Sequence, residues 1–443
     1  MITKPKGTKD ICGKDARKWQ YIEEIVSNVL EKYNYTLIRT PLFEASDLFH
    51  RGVGETTDIV SKETYDFVDR GNRNMTLRPE GTAGVVRSFI ENKMYGDNLP
   101  QKLFYIGPMY RYERPQKGRY REFYQFGMEL LGSDDPMGDA EVISAAYNIY
   151  KMLGLKKLRV NINSLGDSDS REAYHKALVE YLKPHIDSLC DDCKERYQKN
   201  PLRVLDCKVD GDSDILKKAP TPLDYLNEES KKRFEKVCEY LDMLKVPYEV
   251  NPRLVRGLDY YNHTVFEIDD LSADMGSQNT IGAGGRYNGL VKLLDGPDTP
   301  CMGFAAGIDR VMVALEAEGI DLEVNDDIDL FLMYVNDEEK SYALYLCQEL
   351  RLAGFTVDTD YLGRSLKAQF KQADRLKAKY TIVLNSEELD NNEVKIKNNK
   401  TKEEEIINID ALIYYLDENL DSDSCDCGDD CHCGDECHCH DHK

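Results

Sequence analysis

Between residues 121 and 130 the chain alternates two kinds of side chain with a period of two. Arg121, Phe123, Gln125, Gly127 and Glu129 fall on one side of an extended strand, and Tyr124, Phe126, Met128 and Leu130 on the other. A period of two fits a strand and not a helix, so this stretch has to enter a sheet. The second side is an ordinary core face. The first combines a cation, an aromatic ring, an amide, a glycine and a carboxylate, a set that suits the floor of a polar ligand pocket. An earlier strand-like run sets Tyr105, Gly107, Met109, Arg111 and Glu113 on one side, and a polar loop from Arg114 to Arg119 joins the two runs into a hairpin. That hairpin would hold several guanidinium groups near the pocket. Arg suits phosphate because its planar fork donates two parallel hydrogen bonds and keeps its charge. Periodicity alone leaves a second reading open, a surface hairpin with ordinary salt bridges.

The rest of the chain supplies the frame. From Arg17 to Tyr33 the residues Ile22, Ile25, Val26, Val29 and Leu30 recur at helical spacing and predict an amphipathic helix. Strand-like runs at 35–39, 102–112 and 122–131, linked by glycine-bearing loops such as Arg51–Gly54, predict a mixed sheet with flanking helices. Charged helical sequence from about 169 to 247 reads as an insertion within this larger domain, before strands at 248–250 and 260–268. An acidic stretch from Glu316 to Asp329 reads as a linker. Beyond it, strands at 330–335, 355–357 and 380–384 alternate with helices, which predicts a small α/β domain. The expected division is 1–325, 326–418 and a tail, 419–443, of Cys, His, Asp and Gly with almost nothing apolar to bury.

Length and composition narrow the classes. At 443 residues the chain can bury two or three cores without disulfide support. No run approaches the roughly 20 apolar residues of a membrane span, and Met1–Lys6 precedes no apolar signal core, so a cytoplasmic protein is expected. A net charge of −23 excludes a protein that coats nucleic acid non-specifically, because phosphate neutralisation needs Lys and Arg. A specific nucleic-acid partner still fits, provided a local basic patch exists.

The residues Gly107–Arg121, Gly-Pro-Met-Tyr-Arg-Tyr-Glu-Arg-Pro-Gln-Lys-Gly-Arg-Tyr-Arg, closely resemble the second signature motif of histidyl-tRNA synthetases. The resemblance continues in Leu77–Thr82, in Arg256–Tyr261 and in Gly303–Arg310, and so spans nearly the whole chain apart from the tail. It implies a class II aminoacyl-tRNA synthetase: an α+β catalytic domain built on an antiparallel sheet with flanking helices, a C-terminal α/β anticodon-binding domain, and a homodimer. It also implies the reaction, in which L-histidine and ATP, with Mg2+, give histidyl-adenylate and pyrophosphate, and the acyl group then passes to tRNA(His). By position in the motifs, Arg111 and Arg256 become the catalytic cations. Glu113, Arg119, Arg121, Phe123 and Arg310 join Arg111 as ATP contacts, with Phe123 stacking on adenine. Glu80, Thr82, Gln125, Glu129, Tyr260 and Tyr261 join Arg111 and Arg256 as candidates for binding histidine. Strict alternation would put Tyr260 and Tyr261 on opposite faces, so either the segment begins as a loop or only some of these residues line the site. The segment Gly284–Gly289 departs from the family pattern at Asn288, where Asp is more usual.

Arg114 and Gln116 match positions the family uses to recognise the extra guanosine of histidine tRNA. Arg364, Lys367, Lys371 and Arg375 share a helical spacing, and the resemblance makes them anticodon-domain contacts where spacing alone would suggest a solvated face. In the tail, Cys425, Cys427, Cys431, His432, Cys433, Cys437, His438, Cys439 and His440 form repeated thiolate pairs suited to Zn2+ or another soft metal. Cys190-x2-Cys193, with Cys207 and His185, has some zinc-like spacing but lacks a second close pair, and reads as buried or incidental thiols. The rival to an aminoacylating enzyme is a regulatory synthetase-like subunit of ATP-phosphoribosyltransferase. Such relatives typically lack the anticodon-binding domain and erode the motifs found here.

Overall fold

The hairpin forms as the strands Gln101–Tyr110 and Glu122–Leu131, antiparallel from Gln101 opposite Leu131 to Tyr110 opposite Glu122. The structure, a computed structural model, describes residues 1–421 apart from 55–56, 58, 206, 208, 212, 257, 259, 273–278, 323 and 325. The hairpin lies inside an eight-stranded sheet. Its order is Thr36–Leu37, Gln101–Tyr110, Glu122–Leu131, Cys301–Gly307, Thr280–Arg286, Asn262–Asp270, Leu158–Ser164 and Tyr248–Val250. Neighbours run antiparallel except at the two edges, where the outermost pairs are parallel.

The two faces of the sheet are covered differently. Tyr124 meets Trp19 of the helix Lys14–Lys32 edge-on at 5.1 Å, and Phe126 packs near Phe304, which meets Tyr150 of the helix Pro136–Met152. On the opposite face Leu103, Tyr105 and Met109 share a core with Val85, Val86 and Phe89 of the helix Thr82–Glu91. That second face carries Gln125, Gly127 and Glu129, as the alternation predicts. A three-stranded antiparallel sheet, Phe43–Ala45, Asn74–Leu77 and Tyr65–Val68, stands apart and was not anticipated from the sequence.

Helices from Ser168–Leu182 to Glu228–Met243 fill the segment read as an insertion, and Tyr174, Leu178, Leu182, Val204 and Leu216 give it a core of its own. The chain divides into two compact units at Glu323 and Val324. In the second unit, strands Val357–Thr359, Leu330–Met333 and Tyr380–Val383 run parallel, and Glu393–Asn398 and Glu404–Asn408 extend the sheet antiparallel. Among the described residues no helix is long and apolar enough to cross a membrane.

Several local expectations change. Residues 51–53 are helical, not loop, because Leu48, Phe49, Gly52 and Val53 form the buried face of the helix Ser46–Val53. The first strand shrinks to Thr36–Leu37, both exposed. Glu316 to Glu318 finish the helix Ile308–Glu318, so the acidic stretch is only partly a connection. The strand predicted at 260 begins at Asn262, which leaves Tyr260 and Tyr261 in irregular chain.

Candidate active site

At the centre of the large sheet, strands Glu122–Leu131, Cys301–Gly307 and Thr280–Arg286 lie side by side, with Gln125 opposite Gly307 and Gly127 opposite Ala305. Small residues, Gly282, Ala283, Ala305, Ala306 and Gly307, leave a hollow of about 410 Å3 over them. Arg111, Glu113, Arg119, Phe123, Gln125, Arg256, Glu267, Thr280 and Arg310 wall it. Residues from three separate motifs therefore converge on one space.

The walls carry four arginines against three carboxylates, Glu113, Glu267 and Asp309. Arg111 donates from Nε to the carbonyl of Pro79 at 2.8 Å, and its guanidinium carbon lies 5.2 Å from the centre of the Phe123 ring. Glu113 accepts from Arg119 at 2.8 Å and lies 3.8 Å from Arg111, so one carboxylate spaces two arginines. Arg256 pairs with Glu267, whose neighbour Thr280 donates to Asp269 at 2.9 Å. Arg310 donates to the carbonyl of Thr280; burial, then the like charge of Arg119, pull its pKa down. Like charges held close in a partly buried hollow raise the free energy of the empty site and favour a polyanion.

Beside the arginines lies a buried polar cluster. Glu129 is 1% exposed and accepts hydrogen bonds from Thr82 Oγ1 at 2.7 Å and Tyr287 Oη at 2.5 Å. Burial pushes its carboxyl up to about 8, against those two hydrogen bonds, and the nearby Glu80 adds to the rise. The strand opposite makes room for it, since a Cβ on Gly303 would lie 1.9 Å from Glu129 Oε2. Tyr260 and Tyr261 sit with ring centres 4.7 Å apart, and Tyr260 also meets Tyr287. The loop before Asn262 breaks the alternation, which is why both tyrosines reach the same core. Gln125 Oε1 is buried with no hydrogen-bond partner among the described residues, a polar atom suited to a ligand donor.

Two expected contacts are placed elsewhere, and a third, Glu80, stays beside Glu129 and Arg111 but is engaged by its own helix. Arg121 precedes its strand, and its guanidinium lies 3.7 Å over the Tyr112 ring while Nε donates to Glu113 O; it does not wall the hollow. Glu80 spends both carboxylate oxygens on the main-chain N–H groups of Thr82 and Ala83, at 2.8 Å each, and so caps the helix Thr82–Glu91. Arg364 lies before the helix Leu366–Arg375 and pairs with buried Asp360 at 3.2 Å, so it does not continue the face of Lys367, Lys371 and Arg375. Those three are exposed, as are Arg114 and Gln116 in the hairpin loop. Every metal candidate of the tail, from Cys425 to His440, lies outside the described residues.

Sequence reading passed over Tyr287, Glu267 and Thr280. Tyr287 sat in a glycine-rich motif already noted, and Glu267 is a charge within the apolar run Val265–Ile268, which was a usable signal. Asn288 has a structural place: its side-chain oxygen accepts from Cys301 N at 3.0 Å, and its amide donates to Asp134 at 3.1 Å. A carboxylate could not make the second bond.

Comparison with known proteins agrees with this geometry. The family model for histidyl-tRNA synthetase matches residues 7–311, and one for an anticodon-binding domain matches 329–419. The histidine–tRNA ligase of a Geobacillus strain is 53% identical over 417 residues, covering 94% of this chain and 99% of that protein. That of Staphylococcus aureus strain JH9 is 52% identical over 418 residues, with the same coverage. The crystal structure of apo histidyl-tRNA synthetase from S. aureus superposes with a TM-score of 0.81 at 46% identity, covering 94% of this chain and 100% of that one. A cationic hollow beside a buried carboxylate, on a sheet with this order and alongside matches of this length, makes the chain a member of the histidyl-tRNA synthetase family.

Proposed function

We propose that this chain is a histidine–tRNA ligase, which activates L-histidine with ATP and passes the histidyl group to the 3′ end of tRNA(His). The observation that carries this is the convergence of Arg111, Arg119, Arg256 and Arg310 on one hollow next to Gln125 and Glu129. In the first step a histidine carboxylate oxygen bonds to the α-phosphorus, and pyrophosphate leaves with the bridging oxygen. In the second, a terminal ribose hydroxyl of the tRNA bonds to the carbonyl carbon, and AMP leaves with its phosphate oxygen while the hydroxyl proton is lost. Arg111 and Arg256 supply fixed positive charge where negative charge builds at the α-phosphate. Arg119 and Arg310 hold the outer phosphates, Phe123 takes the adenine, and Mg2+ arrives as part of the nucleotide substrate. Gln125, Glu129, Thr82, Tyr260 and Tyr261 surround the histidine. A site that hydrogen-bonds its substrate rejects others, because buried polar groups left unpaired cost about 1–3 kcal/mol each.

Histidine-dependent ATP–pyrophosphate exchange without tRNA tests the reading. Exchange is expected from the whole chain, and its absence would favour the regulatory-subunit alternative. The 329–419 match and the intact arginine set argue against that alternative.

Exposed Arg114 and Gln116 suit recognition of the extra guanosine, in the cytoplasm where charging takes place. The working form is a homodimer. Phe43 and Phe67, 52% and 41% exposed with ring centres 6.2 Å apart, form an apolar patch that a second copy would cover. Sedimentation of Phe43→Glu together with Phe67→Glu should show monomers. The tail holds Zn2+ or a similar soft ion, about two at four ligands each. Equal zinc stoichiometry for the whole chain and one ending at Leu420 would overturn that.

A further inference from the structure

Within the helical insertion, three thiols and a carboxylate that are separated in sequence come together. Cys190 stands at the N-terminus of the helix Asp191–Lys199, Cys193 lies in its first turn, and Cys207 and Asp210 lie in the turn that follows Pro201–Val204. The sulfur and oxygen atoms of all four lie within 4.8 Å of one another. Cys190 Sγ is 3.6 Å from Cys207 Sγ, and Cys207 Sγ is 3.8 Å from Asp210 Oδ2. A disulfide would hold its sulfurs at about 2.05 Å. A zinc ion bonded to sulfur at about 2.3 Å in a tetrahedron spaces its ligands about 3.8 Å apart. The observed spacing fits the second geometry and excludes the first.

We propose that Cys190, Cys193, Cys207 and Asp210 form a structural zinc site that pins the insertion. Two competing explanations fail on particular contacts. Thiols often pack as small apolar groups, and Cys193 and Cys207 are indeed buried among Leu178, Leu189 and Val204. Apolar packing gives no reason for a carboxylate to join them, whereas a four-ligand cation site does. Incidental convergence gives no reason for the orienting hydrogen bonds either. The N–H groups of Val209 and Asp210 both point at Cys207 Sγ at 3.4 Å, and the N–H of Cys190 donates to Asp210 Oδ2 at 3.0 Å. Donors of this kind stabilise a thiolate and fix a ligating carboxylate.

His185, the fourth ligand that spacing suggested, is not part of the group; its ring lies against Tyr181 at 5.5 Å. Asp210 takes that place, only three residues beyond Cys207. Four protein ligands leave no open position, which marks the site as structural rather than catalytic. The surrounding elements are short, nine residues in Asp191–Lys199 and four in Asp214–Lys217, and such small units gain much from a metal staple.

Zinc content of the whole purified chain tests the proposal. Cys190→Ser and Cys207→Ser should each carry about one zinc fewer than the parent. Cys238→Ser, a thiol on the helix Glu228–Met243 outside the cluster, should match the parent, and Asp210→Asn should bind zinc roughly tenfold more weakly. A second measurement needs no variant. Alkylation of the parent chain with iodoacetamide, read by peptide mapping, should show Cys190, Cys193 and Cys207 shielded with zinc and labelled after chelation. Peptides containing these thiols are separate from those of the tail. Equal zinc content in parent and Ser variants, or labelling indifferent to zinc at all three thiols, would overturn the site.

Discussion

Glu129 is a carboxyl group kept neutral by its surroundings. With its pKa near 8, the folded chain retains a proton between about pH 4.5 and 8 that the unfolded chain has released. The folded state therefore binds more protons in that window, and stability falls as pH rises through it, by up to about 1.4 kcal/mol per unit, before levelling above 8. Glu129→Gln should flatten this slope in urea melts taken from pH 5 to 9. The same group should respond to substrate. An α-ammonium or imidazole N–H placed against Glu129 favours the carboxylate, so histidine binding near pH 7 should expel about one proton. Calorimetry in two buffers of different ionisation heat measures it; the release should vanish above pH 8 and in Glu129→Gln, and a buffer-independent heat at pH 7 would refute it. Arg256 answers a different question. Arg256→Ala should lower kcat for pyrophosphate exchange about 100- to 1,000-fold with little change in KM for histidine, since a charge aimed at the reacting phosphate acts chiefly in the transition state.

Elements, rather than single residues, decide where these groups stand. The strand Cys301–Gly307 can pass beside Glu129 only because position 303 lacks a Cβ. Gly303→Ala should displace the carboxylate, lower stability by about 1–3 kcal/mol and weaken histidine binding more than ATP binding. Ligand titrations on the folded fraction separate the two effects. Likewise, Glu80→Ala should cost about 1–2 kcal/mol through loss of the cap on Thr82–Glu91, visible as a lower urea midpoint. The hairpin strands were legible because apolar and polar residues alternate over a long run. The strands Thr280–Arg286 and Cys301–Gly307 were not, because glycine and alanine give no alternation and weak strand preference. Arg111, Phe123, Gln125 and Glu129 were readable as one face, since they share a hairpin. Tyr287 meets Glu129 from 158 positions away, and only the register of intervening strands brings them together. The local partners of Glu80 and Arg364 were not legible for a related reason: each is engaged by a neighbour close in sequence, through a cap or an ion pair, and residue type does not disclose that.

The whole molecule has to bind a polyanion while carrying a net charge of −23. Diffuse attraction is therefore excluded, and affinity for tRNA must come from local sites where cations are exposed and not consumed by neighbouring acids. The helix Leu366–Arg375 offers Lys367, Lys371 and Arg375 exposed, whereas Arg364 is held by Asp360. Each phosphate neutralised releases counterions, so the logarithm of the association constant falls with the logarithm of salt by about 0.7–0.9 per contact. Lys367→Ala with Lys371→Ala should reduce that slope by roughly 1.5 and weaken tRNA binding at low salt. Arg364→Ala should change the slope less, because its charge is already compensated by Asp360. Histidine-dependent pyrophosphate exchange, which needs no tRNA, should remain at the parental level in the double-lysine variant. If its tRNA affinity and salt slope equal the parent's, the phosphate contacts lie on other residues, and the exposed lysines of this helix are only a solvated face.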